Sequence, residues 1–102
     1  MTFNVIADSE AKRDWDEAVG WYEARGPGVG LRLDDALRTL LQTLANRPER
    51  FRLVTRLTRT AKVPPPWNYS VYFTVNTVQR EIKVLAVWHH SRNPAELRRR
   101  LK

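Results

Sequence analysis

Near residue 47 the spacing of apolar residues in this chain changes from that of a helix to that of a strand. Before that point Ala11, Trp15, Ala18, Val19 and Tyr22 recur at helical intervals, and so do Leu33, Ala36, Leu37, Leu40, Leu41 and Leu44. Each set makes one apolar stripe on a helix. After it, Tyr69, Val71, Phe73 and Val75 alternate with Ser70, Tyr72 and Thr74, which gives a strand two distinct faces. A helical stretch followed by a run of strands points to the α+β class, with a helical hairpin packed on a small antiparallel sheet.

Local signals set the boundaries. Thr2 to Ala7 alternates as a short strand, which must join the sheet because it cannot stand alone. Asp8 or Ser9 supplies the side-chain oxygen that caps a helix N-terminus. In the first helix Asp14, Asp16, Glu17 and Glu23 fall mostly off the apolar stripe. Gly26-Pro27-Gly28 stops that helix, and Asn46 with Pro48 stops the second. Phe51 to Leu57 reads as strand, with a further short strand near Thr58 to Val63. Pro64-Pro65-Pro66 donates no ladder hydrogen bonds and marks a loop or a sheet edge. Asn76 to Arg80 is a hairpin connection, and the largely apolar run Glu81 to Trp88 suits a strand inside a sheet. From Pro94 onward one or two helical turns are expected. The expected order is β-α-α-β-β-β in one domain, 1–102. Its helical hairpin covers about 9–46, its sheet mainly 51–88 and its basic tail 89–102.

Composition narrows the function classes. A chain of 102 residues with 42% hydrophobic side chains builds one core and is not disordered. Cysteine is absent, which excludes disulfides, thiol chemistry and Cys-ligated zinc. There is no apolar run long enough to span a membrane, and Met1 to Asp14 lacks the apolar core of a signal peptide, so the cytoplasm is the expected location. Charge is divided unevenly. Residues 1–46 carry a net −3 and residues 47–102 a net +10, for +7 overall. A basic half favours a polyanion or an acidic protein partner.

Several chemistries have no support. His89 and His90 are adjacent but have no third ligand nearby, so no metal site is expected. Gly26-Pro27-Gly28-Val29-Gly30 follows a helix rather than a strand, unlike a dinucleotide-binding turn. No cofactor is expected, and no Ser/His/Asp arrangement can be argued from spacing.

The ordered motifs are more specific. Trp21-Tyr22-Glu23-Ala24-Arg25-Gly26-Pro27-Gly28-Val29-Gly30 is followed by Leu33, Ala36-Leu37 and Asn46-Arg47-Pro48. Ser70-Val71-Tyr72-Phe73 comes next, and the segment Val84 to Pro94 holds Trp88-His89-His90-Ser91-Arg92-Asn93-Pro94. In this order they resemble the ParE/RelE family of toxins from bacterial type II toxin–antitoxin systems, across nearly the whole chain. The Gly-Pro-Gly hairpin places the likeness nearer the ParE branch. The stretch Val63-Pro64-Pro65-Pro66-Trp67-Asn68-Tyr69 departs from the Arg-Phe-Pro-Tyr often found before the Val-Tyr-Phe strand.

The resemblance implies a toxin neutralised by a cognate antitoxin, forming a hetero-oligomer with it. It implies one of two targets. ParE-like toxins bind DNA gyrase and leave it with broken DNA; RelE-like toxins cut mRNA in the ribosome. For cleavage, cations and proton-transfer groups must surround one phosphate, and the candidates are Arg59, Lys62, His89 and Arg92, with His90 beside them. Neighbouring residues of a strand face opposite ways, so His89 and His90 cannot both meet one substrate. For gyrase binding the candidates are Trp67, Arg92, Arg98, Arg99, Arg100 and Lys102, with Trp21 as a further exposed aromatic. Direct DNA binding is a third reading, with the basic half on phosphates and Trp67 or Tyr72 stacking on bases. The expectation is gyrase poisoning, with ribosome-dependent mRNA cleavage as the alternative.

Overall fold

The Asp8 carboxylate accepts the Ala11 amide at 2.8 Å and so starts the first long helix, as its place before the apolar stripe suggests. In the computed structural model, which describes residues 2–102, strand β1 (Asn4–Ala7) precedes this helix, α1 (Ser9–Glu23), and helix α2 (Val29–Asn46) follows. The turn between the helices explains the motif there. Gly28 adopts φ +83°, which a side chain disfavours. The Glu23 carboxylate accepts the Gly28 amide at 2.9 Å and the Gly30 amide at 3.0 Å. One carboxylate thus satisfies two orphan donors at the α2 N-terminus, where the helix dipole also favours negative charge. Gly30 lets the helices touch: a Cβ there would lie 2.4 Å from the Val19 carbonyl oxygen.

Further along, Asp34 accepts from Trp15 Nε1 and from Arg38 Nε, both at 2.7 Å. The Trp15 bond ties α1 to α2, and the Arg38 bond braces Asp34 along α2. The Arg38 hydrogen bond, opposed by partial burial and aided by Trp15, holds the Asp34 carboxyl below its ordinary pKa. Leu33, Leu37, Leu40 and Leu44 are buried and meet Val71, Phe73, Ile82, Val84 and Val87 in one core.

After α2 come a short 3-10 turn (Pro48–Arg50), then β2 (Arg52–Leu53), β3 (Thr58–Lys62), β4 (Tyr69–Asn76), β5 (Glu81–His89) and helix α3 (Pro94–Arg100). The sheet order is β1-β5-β4-β3-β2. The α+β class and the helical hairpin on a sheet hold. The sheet itself is mixed rather than antiparallel, because β1 runs parallel to β5, with Asn4 opposite Glu81 and Ala7 opposite Val84. The whole hairpin intervenes between β1 and the rest of the sheet, and such a crossover is what a parallel pair needs. The expected strand over Phe51 to Leu57 shrinks to two residues. The chain turns back at Thr55, where the amides of Val54 and Thr55 both reach the Thr58 carbonyl.

Strand β4 alternates as read, with Tyr69, Val71 and Phe73 buried in the main core. Strand β5 does not keep one register. Phe73 faces Val84 but Tyr72 faces Ala86, so Leu85 is an extra residue, a β-bulge. The bulge swaps the faces. Ile82 and Val84 point to the helical hairpin before it, and Val87 does so after it. Ala86 and Trp88 turn to the other side, where Leu97 of α3 and Leu101 cover them. The expected helical turns of the tail are therefore a second layer on the sheet. Among the described residues no helix is long and apolar enough to cross a membrane.

Candidate functional site

A bulge takes backbone groups out of the strand ladder, and they need other partners. Here Asp14 and Arg100 supply them. Asp14 is only 5% exposed, on the inward face of α1 with Ala11 and Ala18. Its Oδ2 accepts the Val87 amide at 3.0 Å. Its Oδ1 accepts from Arg100 Nη2 at 2.7 Å and from Arg92 Nη1 at 3.5 Å. Arg100 also donates to the Leu85 carbonyl at 3.3 Å, and its Nε lies 3.5 Å from Glu10. Burial opposes charge on Arg100, but the hydrogen bond to Asp14 and the charges of Asp14, Glu10 and Asp8 outweigh it and hold its pKa above the ordinary value. One carboxylate therefore joins α1, the β5 bulge and the tail.

Beside this junction a cleft of about 380 Å³ opens between α1 and the end of β5. Asp14, Glu17, Trp21 and Tyr22 line it from α1, Tyr69 from β4, and His89 and Arg92 from β5 and the loop beyond. Its aromatic rings meet edge to face, with centroids 4.9 Å apart for Trp21–Tyr22, 6.5 Å for Tyr22–Tyr69 and 4.9 Å for Tyr69–His89. Burial, followed by the neighbouring Tyr22, pushes the Tyr69 hydroxyl pKa up, so it serves as a neutral hydroxyl. His89 Nδ1 accepts the Ser91 amide at 3.1 Å and sits 2.7 Å from Ser91 Oγ. A neutral ring bound in this way carries its proton on Nε2. Trp21 is 50% exposed, and the Arg25 guanidinium lies 3.3 Å from its ring centre. Flat aromatic walls with a few polar groups suit gripping a partner's side chain.

The residues expected to act together on RNA are not together. Arg59 lies on the hairpin face of β3, opposite Phe73, and donates to the carbonyls of Glu49 at 3.0 Å and Phe51 at 2.7 Å, so it fastens the 3-10 turn. Lys62 pairs with Ser70 on the opposite face. His89 and His90 diverge as strand geometry requires: His90 Nε2 lies 2.9 Å from Ser70 Oγ, on the face of Lys62. Of the four, only His89 and Arg92 share the cleft.

The expected target-binding set is also redistributed. Trp67 does not protrude from its proline loop. It is half-buried, with its ring 5.1 Å from Tyr22 and edge-on to it. Arg100 faces inward, and Arg92 lies 3.8 Å from the Trp88 ring centre while reaching Asp14. The Lys102 backbone is held by Thr58, whose Oγ accepts the Lys102 amide at 3.0 Å. Arg98 and Arg99 remain exposed along α3, and the Lys102 side chain remains exposed beyond it. By spacing, Asp14 is among the acids that fall mostly off the helical stripe, yet in the fold it is buried. The spacing 11–14–18 does place it between two buried alanines, but nothing local says that a carboxylate there will find partners.

Comparison with solved structures gives the class: this is the fold of type II toxins. The chain superposes with a TM-score of 0.73 on a chain of the chromosomal ParDE system of Pseudomonas aeruginosa, at 18% identity, covering 86% of this chain and 96% of that one. The TM-score is 0.69 for a free double mutant of the Escherichia coli toxin RelE, at 16% identity over 98% of this chain and 94% of that one. For the RelBE2 toxin–antitoxin complex of Mycobacterium tuberculosis it is 0.64, at 16% identity over 88% of this chain and 100% of that one. In sequence, Toxin RelE1 of Caulobacter vibrioides is 31% identical over 90 residues, which are 87% of this chain and 95% of that protein. The sequence model of the family described as ParE toxin of the type II toxin–antitoxin system, parDE, matches residues 5–94. The chain belongs to this ParE toxin family.

Proposed function

We propose that this toxin arrests growth in the cytoplasm by binding DNA gyrase and trapping it on broken DNA, and that a cognate antitoxin neutralises it. The observation that carries this reading is the separation of Arg59, Lys62 and His89. Cleavage of RNA needs a base, an acid and cations within reach of one phosphate. Arg59 is spent on carbonyls, and Lys62 and His89 face opposite sides of the sheet. A binding role asks less of the site. Exposed Arg98 and Arg99 and half-exposed Trp21 offer charge and an aromatic anchor. Structural neighbours in ParDE and RelBE systems support the antitoxin partner, and an acidic antitoxin segment suits the basic half. The test is a short induction of the chain alone, scoring plasmid breaks held on gyrase. Breaks that disappear in a gyrase-resistant host, and that fall with Arg98→Ala/Arg99→Ala or Trp21→Ala, are the expected result. Growth arrest with intact DNA overturns it.

One observation favours the second reading, ribosome-dependent mRNA cleavage. Lys62, Ser70 and His90 share one face, with Ser70 holding the His90 ring. If that reading holds, His90→Ala and Lys62→Ala abolish toxicity while the fold and any gyrase binding persist.

A further inference from the structure

A second cleft, of about 470 Å³, opens where α2 ends, the 3-10 turn begins and the β4–β5 connection closes. Phe3, Arg47, Glu49, Arg50 and Arg80 are among the residues that line it, with Glu49 its one carboxylate among the described residues. Arg47 and Arg50 are exposed. The Arg80 guanidinium lies 4.4 Å from the Phe3 ring centre, so its charge is seated in the wall. The Arg80 backbone is left-handed, φ 52°, a region in which a side chain other than asparagine or glycine is uncommon. Its carbonyl is fixed by the Asn4 amide at 2.9 Å. A strained position held this firmly is a place to look for function.

We infer that this cleft is a phosphodiester-backbone site, through which the chain itself touches nucleic acid. Three arginines converge on one concavity, and the guanidinium fork matches phosphate oxygens in pairs. The contrast with the tail is direct. Arg92 and Arg100 face the buried Asp14, whereas Arg47 and Arg50 make no ion pair among the described residues. Arg52 and Arg56, the next bases in the chain, are exposed as well, Arg52 on the opposite face of the sheet from Arg59. A lone phosphate would use the cleft alone; a polymer with a charge at every unit also reaches such flanking bases. An acidic peptide is the poorer fit. It would add to a sheet edge through backbone hydrogen bonds, and both edge strands are short, β2 with two residues and β1 with four. What the edge offers is charge, and charge alone suffices for a phosphate backbone.

The experiment measures binding of the full chain to a short labelled DNA duplex of arbitrary sequence across a salt series, without gyrase. Each phosphate contact contributes about 0.9 to the slope of log affinity against log salt, so Arg47→Ala/Arg50→Ala should reduce the slope by roughly 1.8. It should also weaken binding about tenfold at low salt, whatever the sequence. Arg47→Lys/Arg50→Lys, which keeps the charges, should retain most of the slope. Should the double alanine variant melt early, Arg50→Gln and Arg52→Gln carry the test, each lowering the slope by about 0.9. An unchanged slope in a folded variant overturns the site. Displacement of the duplex by polyglutamate as effectively as by unlabelled DNA also overturns it and assigns the cleft to an acidic protein. Because gyrase is absent, failure here leaves the proposed target standing, and a failed gyrase assay leaves this site standing.

Discussion

Asp14 carries a negative charge into a place where its helix otherwise buries alanine. The position is tolerable because each oxygen has a partner: the Val87 amide on one, the two arginines on the other. Removing one member of a buried pair costs far more than the pair contributes, since the charge left behind is desolvated and alone. Asp14→Ala should therefore lower unfolding free energy by about 3–5 kcal/mol in a denaturant titration. Arg100→Ala should act alike, and the double variant should lose clearly less than the two singles together. Additive losses would mean that the two side chains are not coupled. Arg98→Ala, two residues earlier on α3 but exposed, should change stability by no more than about 0.5 kcal/mol. That contrast separates the arginine that belongs to the fold from the one left for a partner.

Between the two long helices, two glycines make opposite predictions. Gly30 sits where a Cβ would strike the Val19 carbonyl, and Gly30→Ala should destabilise by about 1–3 kcal/mol. Gly20 lies within α1 with nothing within 4 Å of an added Cβ, so Gly20→Ala should stabilise by about 0.5–1 kcal/mol. Melting curves of the two variants decide both. The Trp15–Asp34–Arg38 link predicts a pH effect. Asp34 stays ionised to lower pH in the folded chain than in the unfolded one, first because Arg38 hydrogen-bonds it. Its contribution is complete above the ordinary carboxylate value of 3.8 and is lost as pH falls through the lower folded value. Asp34→Asn should therefore flatten the acid limb of stability against pH below that point. The hairpin, its stops and β4 were legible in the sequence because their signals are local: a stripe, a glycine turn, an alternation. The β5 bulge was not. Helices cover one face of β5 and α3 the other, so nearly every residue there is apolar and no alternation remains to show a slip. The cleft was half legible. His89, Arg92 and Trp21 were singled out one by one, while their meeting with Asp14 and Tyr69 depends on that bulge and on a contact between the first helix and the tail.

Across the whole chain the sheet is a middle layer, with the helical hairpin on one side and α3 on the other. Deleting residues 94–102 would uncover Ala86 and Trp88 and leave Asp14 without Arg100. The expected outcome is a loss of about 3–5 kcal/mol, because the buried Asp14 then keeps the longer Arg92 contact, 3.5 Å, in place of the Arg100 bond, with new binding of a hydrophobic dye. A truncated chain as stable as the full one would mean that α3 is an appendage. The pairing of β1 with β5 carries a consequence in time. Translation makes β1 first, yet its hydrogen-bonding neighbour is the last strand to be made. While the message is still being read, the leucines of the hairpin have no floor to rest on, and the cleft beside His89 has only one wall. A ribosome that drops its message before β5 thus releases a fragment whose β1 has no neighbour, and the toxin fold closes only once β5 has been read.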